Sequence, residues 1–238
     1  MKKGIVLGLI LLLSFVLYGC GEPELSIKEK QKNEFVINVT GKTDPNAKVT
    51  MVDESGEKSD IVNSEGDFVL VVPRMLSDTT YQVTSEKDDK KTTAKVKVPK
   101  KNKLIAYYDF EKQFNELSEQ YSGLNTKIPS VDSAKNQQDG FSVSLDGKNI
   151  MSIRLSYSEN NSDASISSFT DYQNFILSVA ATNVILNKAI DGTDTIDFIK
   201  NAVDEKEDAK KTVDNIIYNV SNMDYMGDTI TSVMIYPK

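Results

Sequence analysis

The sequence predicts a multi-domain chain: an all-β sandwich followed by an α+β domain with an antiparallel sheet. Three observations predict it. Residues 35–98 alternate apolar and polar side chains in short runs parted by turn residues, the period of half-buried strands. The stretch Pro99-Lys100-Lys101-Asn102-Lys103 then interrupts the pattern with a proline, three lysines and no apolar group. Beyond it helical and strand periods mix, starting with a helical stripe of Phe110, Phe114, Leu117 and Tyr121. A length of 238 residues is enough for two cores.

The chain opens with MKKGIVLGLILLLSFVLYGC. Lys2 and Lys3 precede an uncharged apolar run from Gly4 to Tyr18, too short for the roughly 20 residues that span a bilayer, so residues 1–19 read as a signal segment. Its end, Leu17-Tyr18-Gly19-Cys20, resembles the lipobox of bacterial lipoproteins, with Tyr18 standing where a small or β-branched residue is usual. The resemblance implies cleavage between Gly19 and Cys20, a diacylglycerol on the Cys20 thiol and a chain anchored on the outer side of the cell membrane. Cys20 is the single cysteine of the chain, so it has no disulfide partner within it. Only Arg74 and Arg154 among the 28 basic residues are arginine, a bias pointing to an AT-rich genome and, with the lipobox, to a Gram-positive bacterium. Residues 20–34, with Pro23 and little apolar content, read as a tether.

Within residues 35–98, FVINVT, KVTMVD, DFVLVVP, TTYQVTSE and TAKVKVP have strand length and period two. Their separators carry turn chemistry: Asp44-Pro45-Asn46, Glu54-Ser55-Gly56, Asn63-Ser64-Glu65-Gly66 and Lys87-Asp88-Asp89. The run Val39-Thr40-Gly41-Lys42-Thr43-Asp44-Pro45-Asn46-Ala47-Lys48-Val49-Thr50 resembles the opening of bacterial Ig-like repeats, and Asn63-Ser64-Glu65-Gly66-Asp67-Phe68 is similar to their next hairpin. The resemblance implies an Ig-like sandwich acting as a spacer, with no catalytic residue.

Residues 104–238 carry no family resemblance. A helix is expected from about Asp109, then a polar loop from Gly123 to Gly140. A hairpin follows, Phe141–Leu145 and Met151–Tyr157 about Asp146-Gly147. A second polar loop, 158–168, leads to a helix over 171–189 that is apolar on most faces and closed by Asp191-Gly192. Asp194 reads as the N-cap of a third helix carrying Ile196, Ile199 and Val203. The charged run from Asp204 to Lys211 reads as a solvated face, and a hairpin of 216–220 and 229–236 ends the chain.

The chain has no histidine, which excludes His-containing triads and His zinc sites, and no cofactor is expected. A formal charge of −7 argues against a nucleic-acid partner. Acidic turns such as Asp53-Glu54 and Asp88-Asp89 offer oxygen ligands to calcium but lack EF-hand spacing, so no metal site is expected. Asp109 and Asp171 fall at expected helix starts, where a carboxylate offsets the dipole. Eight of the ten tyrosines lie beyond residue 104: Tyr121, Tyr157 and Tyr172 are expected in the core, whereas Tyr225-Met226, at the last hairpin, is the candidate partner contact. The expected protein is a lipid-anchored, non-enzymatic surface protein whose second domain binds an envelope or extracellular protein or glycan. An exclusion lipoprotein and a carboxylate-dependent envelope hydrolase are the alternatives.

Overall fold

The computed structural model describes residues 21–130, 137–138, 140–160, 167–187, 193–225 and 227–238. The signal segment with Gly19 and Cys20, the Asp191-Gly192 turn and Met226 lie outside the described residues. Among the described residues the chain is rich in antiparallel β-structure and carries three helices, and it divides into two units. One runs to Pro73 and resumes at Thr79–Val98; the other comprises Arg74–Asp78 and Pro99–Lys238.

Among the described residues the first unit holds eight strands: β1 (Leu25–Lys32), β2 (Val36–Thr43), β3 (Lys48–Val52), β4 (Lys58–Ile61), β5 (Asn63–Ser64), β6 (Asp67–Pro73), β7 (Thr79–Lys87) and β8 (Lys90–Val98). They form two four-stranded sheets, ordered β1-β2-β6-β5 and β4-β3-β7-β8. Strand β1 corrects the expected tether: Leu25 and Ile27 pack against the core, and the strand pairs antiparallel with β2 through a bulge near Ile27. Two apolar positions in a charged stretch give too weak a period to read as a strand. Alternate residues of both sheets meet in one core, with Val39, Leu70 and Val72 from one and Val49, Val83 and Val96 from the other.

The turns follow their residues. Pro45 and Asn46, the latter at φ 63°, turn the chain so that the Ala47 N–H donates to the Asp44 carbonyl at 3.2 Å. Glu65 and Gly66 both take positive φ between the paired residues Ser64 and Asp67, and Asp88 and Asp89 do so between Lys87 and Lys90. These are the two-residue loops whose twist matches that of their strands. Gly66 is required there, since a Cβ would come within 2.6 Å of the Thr43 carbonyl oxygen.

The second unit holds β9 (Ile105–Ala106), α1 (Tyr107–Gln120), β10 (Gln137–Gln138), β11 (Phe141–Asp146), β12 (Asn149–Ser158), α2 (Tyr172–Asn187), α3 (Thr193–Asp204), β13 (Ala209–Val213), β14 (Ile216–Tyr225) and β15 (Asp228–Pro237). Its antiparallel sheet has the order β10-β11-β12-β15-β14-β13, with β9 also pairing β12. Ile153 and Leu155 of β12, Tyr218 and Val220 of β14, and Val233 and Ile235 of β15 share a core with Phe110, Phe114, Phe175, Val179 and Ile199 of the helices. The period of two puts these strand residues on one face, and the three helices cover it.

Helix α2 is capped by the Asp171 carboxylate, whose Oδ1 accepts from the N–H groups of Gln173 and Asn174 at 2.9 and 3.2 Å. Asp194, expected as a cap, lies inside the first turn of α3, where its charge still offsets the helix dipole. The expected solvated run 204–211 ends in a strand instead, because Ala209 and Val213 pack on the core while Lys210 and Thr212 alternate outward. Lys211 lies partly covered, with its ammonium 5.7 Å from the Phe198 ring centre.

Candidate functional site

The final hairpin carries the candidate contact. Strands β14 and β15 pair from Ile216 opposite Pro237 to Tyr225 opposite Asp228, longer than the expected 216–220 and 229–236. Alternation puts Met223 and Tyr225 on one face near the tip, 51% and 36% exposed. Gly227 completes the turn at φ 85°, with open space where a Cβ would stand.

The hairpin is tied by side chains below its tip. The Asn222 N–H donates to an Asp208 carboxylate oxygen, and the Asn222 amide donates to the Glu207 carbonyl, both at 2.8 Å. Its amide oxygen accepts from the Thr231 hydroxyl at 2.5 Å. One level higher, the Thr229 hydroxyl donates to Asp224 at 2.9 Å. The Ser158 hydroxyl donates to the buried carboxylate of Asp228. Met223 and Tyr225 therefore project from a braced strand pair, a geometry in which binding costs little ordering entropy. Sequence reasoning selected Tyr225 and passed over Met223; the i, i+2 spacing in a strand was the signal for it.

The other tyrosines separate by environment. Tyr121 corrects the expectation of a core residue: it is 57% exposed, because α1 ends at Gln120 and the next residue leaves the helical stripe. Tyr157 and Tyr172 are half-buried, edge to face at 5.4 Å, and the Tyr172 hydroxyl donates to Asp204 at 3.1 Å. Burial, with Asp204 beside it, pushes the Tyr172 phenol up to about 12. Tyr107 is buried and donates to the Pro129 carbonyl at 2.7 Å. Tyr218 lies at the core and donates to the Asn183 amide oxygen at 2.7 Å, while Asn187 donates to its hydroxyl at 2.8 Å.

The acidic turns are occupied by their own backbone. Asp53 Oδ1 accepts from the Ser55 hydroxyl at 2.6 Å and from the N–H groups of Ser55 and Glu57, each at 2.9 Å. The Ser55 hydroxyl, ahead of the amides, holds this carboxyl below its usual range. Asp88 and Asp89 are the hairpin loop itself. Among the described residues no three Cys, Asp or Glu side chains gather to hold a metal ion.

The chain matches no protein-family model, and no curated protein or solved structure is significantly similar to it. Its class is thus defined by its own architecture, which among the described residues is β-rich, with antiparallel sheets and three helices.

Proposed function

We propose that the chain is a lipid-anchored surface protein of a Gram-positive envelope, in which an Ig-like sandwich acts as spacer and the C-terminal α+β unit binds an envelope or extracellular partner. The lipobox-like Leu17-Tyr18-Gly19-Cys20 supports the anchor through Cys20. Acyl chains on one cysteine hold a protein at a membrane at about 0.8 kcal/mol per buried CH₂.

For the spacer, the sheet orders β1-β2-β6-β5 and β4-β3-β7-β8 correspond to the A-B-E-D and C′-C-F-G sheets of immunoglobulin-type sandwiches. Tyr81 adds to the likeness. It lies near the start of β7, and its hydroxyl donates to the Pro73 carbonyl at 3.4 Å, as the tyrosine at the corner before strand F does in that fold.

The observation that carries the binding reading is the exposed Met223–Tyr225 pair on its braced hairpin. A tyrosine beside a methionine gives large, adaptable contact area with one polar handle. The test uses the tagged full chain in cells. Cys20→Ser is expected to leave the membrane fraction, and Met223→Ala/Tyr225→Ala to stay there while losing at least about tenfold of its captured partner. Retention of Cys20→Ser at the membrane overturns the anchor, and undiminished capture by the double variant overturns the contact.

A further inference from the structure

We propose that the sheet face of the second unit turned away from its helices binds a chain of acidic sugars, with Arg154 and Lys210 taking its carboxylates. The inference rests on the reading that this unit binds a partner, and it names that partner's chemistry. Cross-strand partners share a face, and those of Arg154 form one row across five strands: Ser142, Arg154, Met234, Asn219 and Lys210. Their chain neighbours Ile153, Leu155, Val220 and Val233 belong to the core under the helices, so the row faces the other way. Arg154 and Lys210 are exposed, and Ser142, Met234 and Asn219 are half-buried. Three strand spacings put the two cations about 14 Å apart.

The row is basic in an acidic chain. Among the described strand residues only two acids, Asp146 and Asp228, stand on this face. They lie at its two ends and both are taken: the Leu76 N–H donates to Asp146 at 2.8 Å, and the Ser158 hydroxyl donates to Asp228. Among the described residues no carboxylate pairs with Arg154. Its Nε and Nη2 donate to the Ser232 hydroxyl at 3.3 and 3.0 Å, and that hydroxyl also pairs with Ser156 at 3.1 Å. Two buried serines thus position the guanidinium on the sheet. Arg154 is one of two arginines among 28 basic residues. A guanidinium kept where lysine is the rule fits a task that needs its planar fork, which matches the two oxygens of a carboxylate.

The rest of the face selects a sugar chain. Short hydroxyl side chains surround Arg154, with Ser142 across the strand pair and Ser152 and Ser156 along the strand. They leave a low surface on which an extended chain can lie. Serine hydroxyls and the Asn219 amide both donate and accept, as the hydroxyls of a sugar require. At the upper end of the same face stand Met223, opposite Ile230, and Tyr225, opposite Asp228. They supply apolar surface for the C–H face of a sugar ring. A neutral glycan would leave the guanidinium unpaired, and a polyanion without hydroxyls would leave the serines and Asn219 unused.

The test measures binding of the full chain, with Cys20→Ser, to immobilised polygalacturonate. Binding is expected that soluble polygalacturonate competes and neutral dextran does not. Arg154→Gln is expected to weaken it at least about tenfold, with Arg154→Lys and Lys210→Gln also weaker and Lys112→Gln on α1 unchanged. Thermal melting checks that each variant keeps its fold. Absence of binding, equal binding to dextran, binding to polyglutamate or poly(glycerol phosphate) as tight as to polygalacturonate, or indifference to both Arg154 substitutions would overturn the proposal. The two readings fail separately. Loss of the cellular partner with Met223→Ala/Tyr225→Ala, but no binding of polygalacturonate, removes only the acidic-sugar proposal; polygalacturonate binding with undiminished cellular capture removes only the hairpin contact.

Discussion

Tyr218 is a phenol enclosed by apolar side chains and held by two asparagines one turn apart on α2. Burial pushes it far above the ordinary phenol range, against the smaller, opposite effect of the Asn187 amide. Tyr218→Phe removes one acceptor and one donor from this buried triangle. The expected loss is about 1–3 kcal/mol in chemical denaturation, the cost of a buried polar group left short of a partner. The pH dependence has a definite sign. A raised folded pKa means that this contribution is fully present below the ordinary phenol value and is lost as pH rises toward and through the folded one. Tyr218→Phe should therefore show a weaker alkaline loss of stability than the parent; an equal loss would assign alkaline sensitivity to other groups.

At the scale of elements, Gly66 ties the β5–β6 hairpin to the end of β2. Its carbonyl accepts the Thr43 N–H at 2.8 Å and its own N–H donates to the Asn63 amide oxygen at 2.9 Å. Gly66→Ala combines a positive φ with a Cβ forced onto the Thr43 oxygen, so thermal unfolding of the first unit should come several degrees earlier. Gly56→Ala, equally positive in φ but facing open space, should cost less, and a reversed order would contradict the steric account.

Elements of this kind were legible from sequence because local rules determine them: Pro45-Asn46, Glu65-Gly66 and Asp88-Asp89 each name their own turn. Helix α1 was legible from the spacing of Phe110 and Phe114. Strands β1 and β13 were not, since each is a charged segment whose pairing partner, not its own period, makes it a strand. Tyr121 misled for a related reason. It continues the helical stripe in sequence, but the chain takes an extended φ and ψ at that residue. The Asn183–Asn187–Tyr218 triangle had a signal in two amides four residues apart in the apolar second half of α2, but its third member is remote in sequence.

The whole molecule has two cores, one in each unit, built from different periods. In the first the core cluster is built from strands; in the second three helices cover one face of a sheet. That contrast suits a division between carrying and binding: a sandwich whose turns are closed by their own backbone, and a unit whose last hairpin ends in exposed apolar side chains. The most direct measurement places a photo-crosslinking amino acid at Tyr225 of the full chain in living cells, with Lys112 on α1 as the comparison site. The account predicts a discrete crosslinked species from position 225, absent from position 112 and lost with Met223→Ala. No adduct from position 225, or the same adducts from both positions, would contradict a binding role for this hairpin.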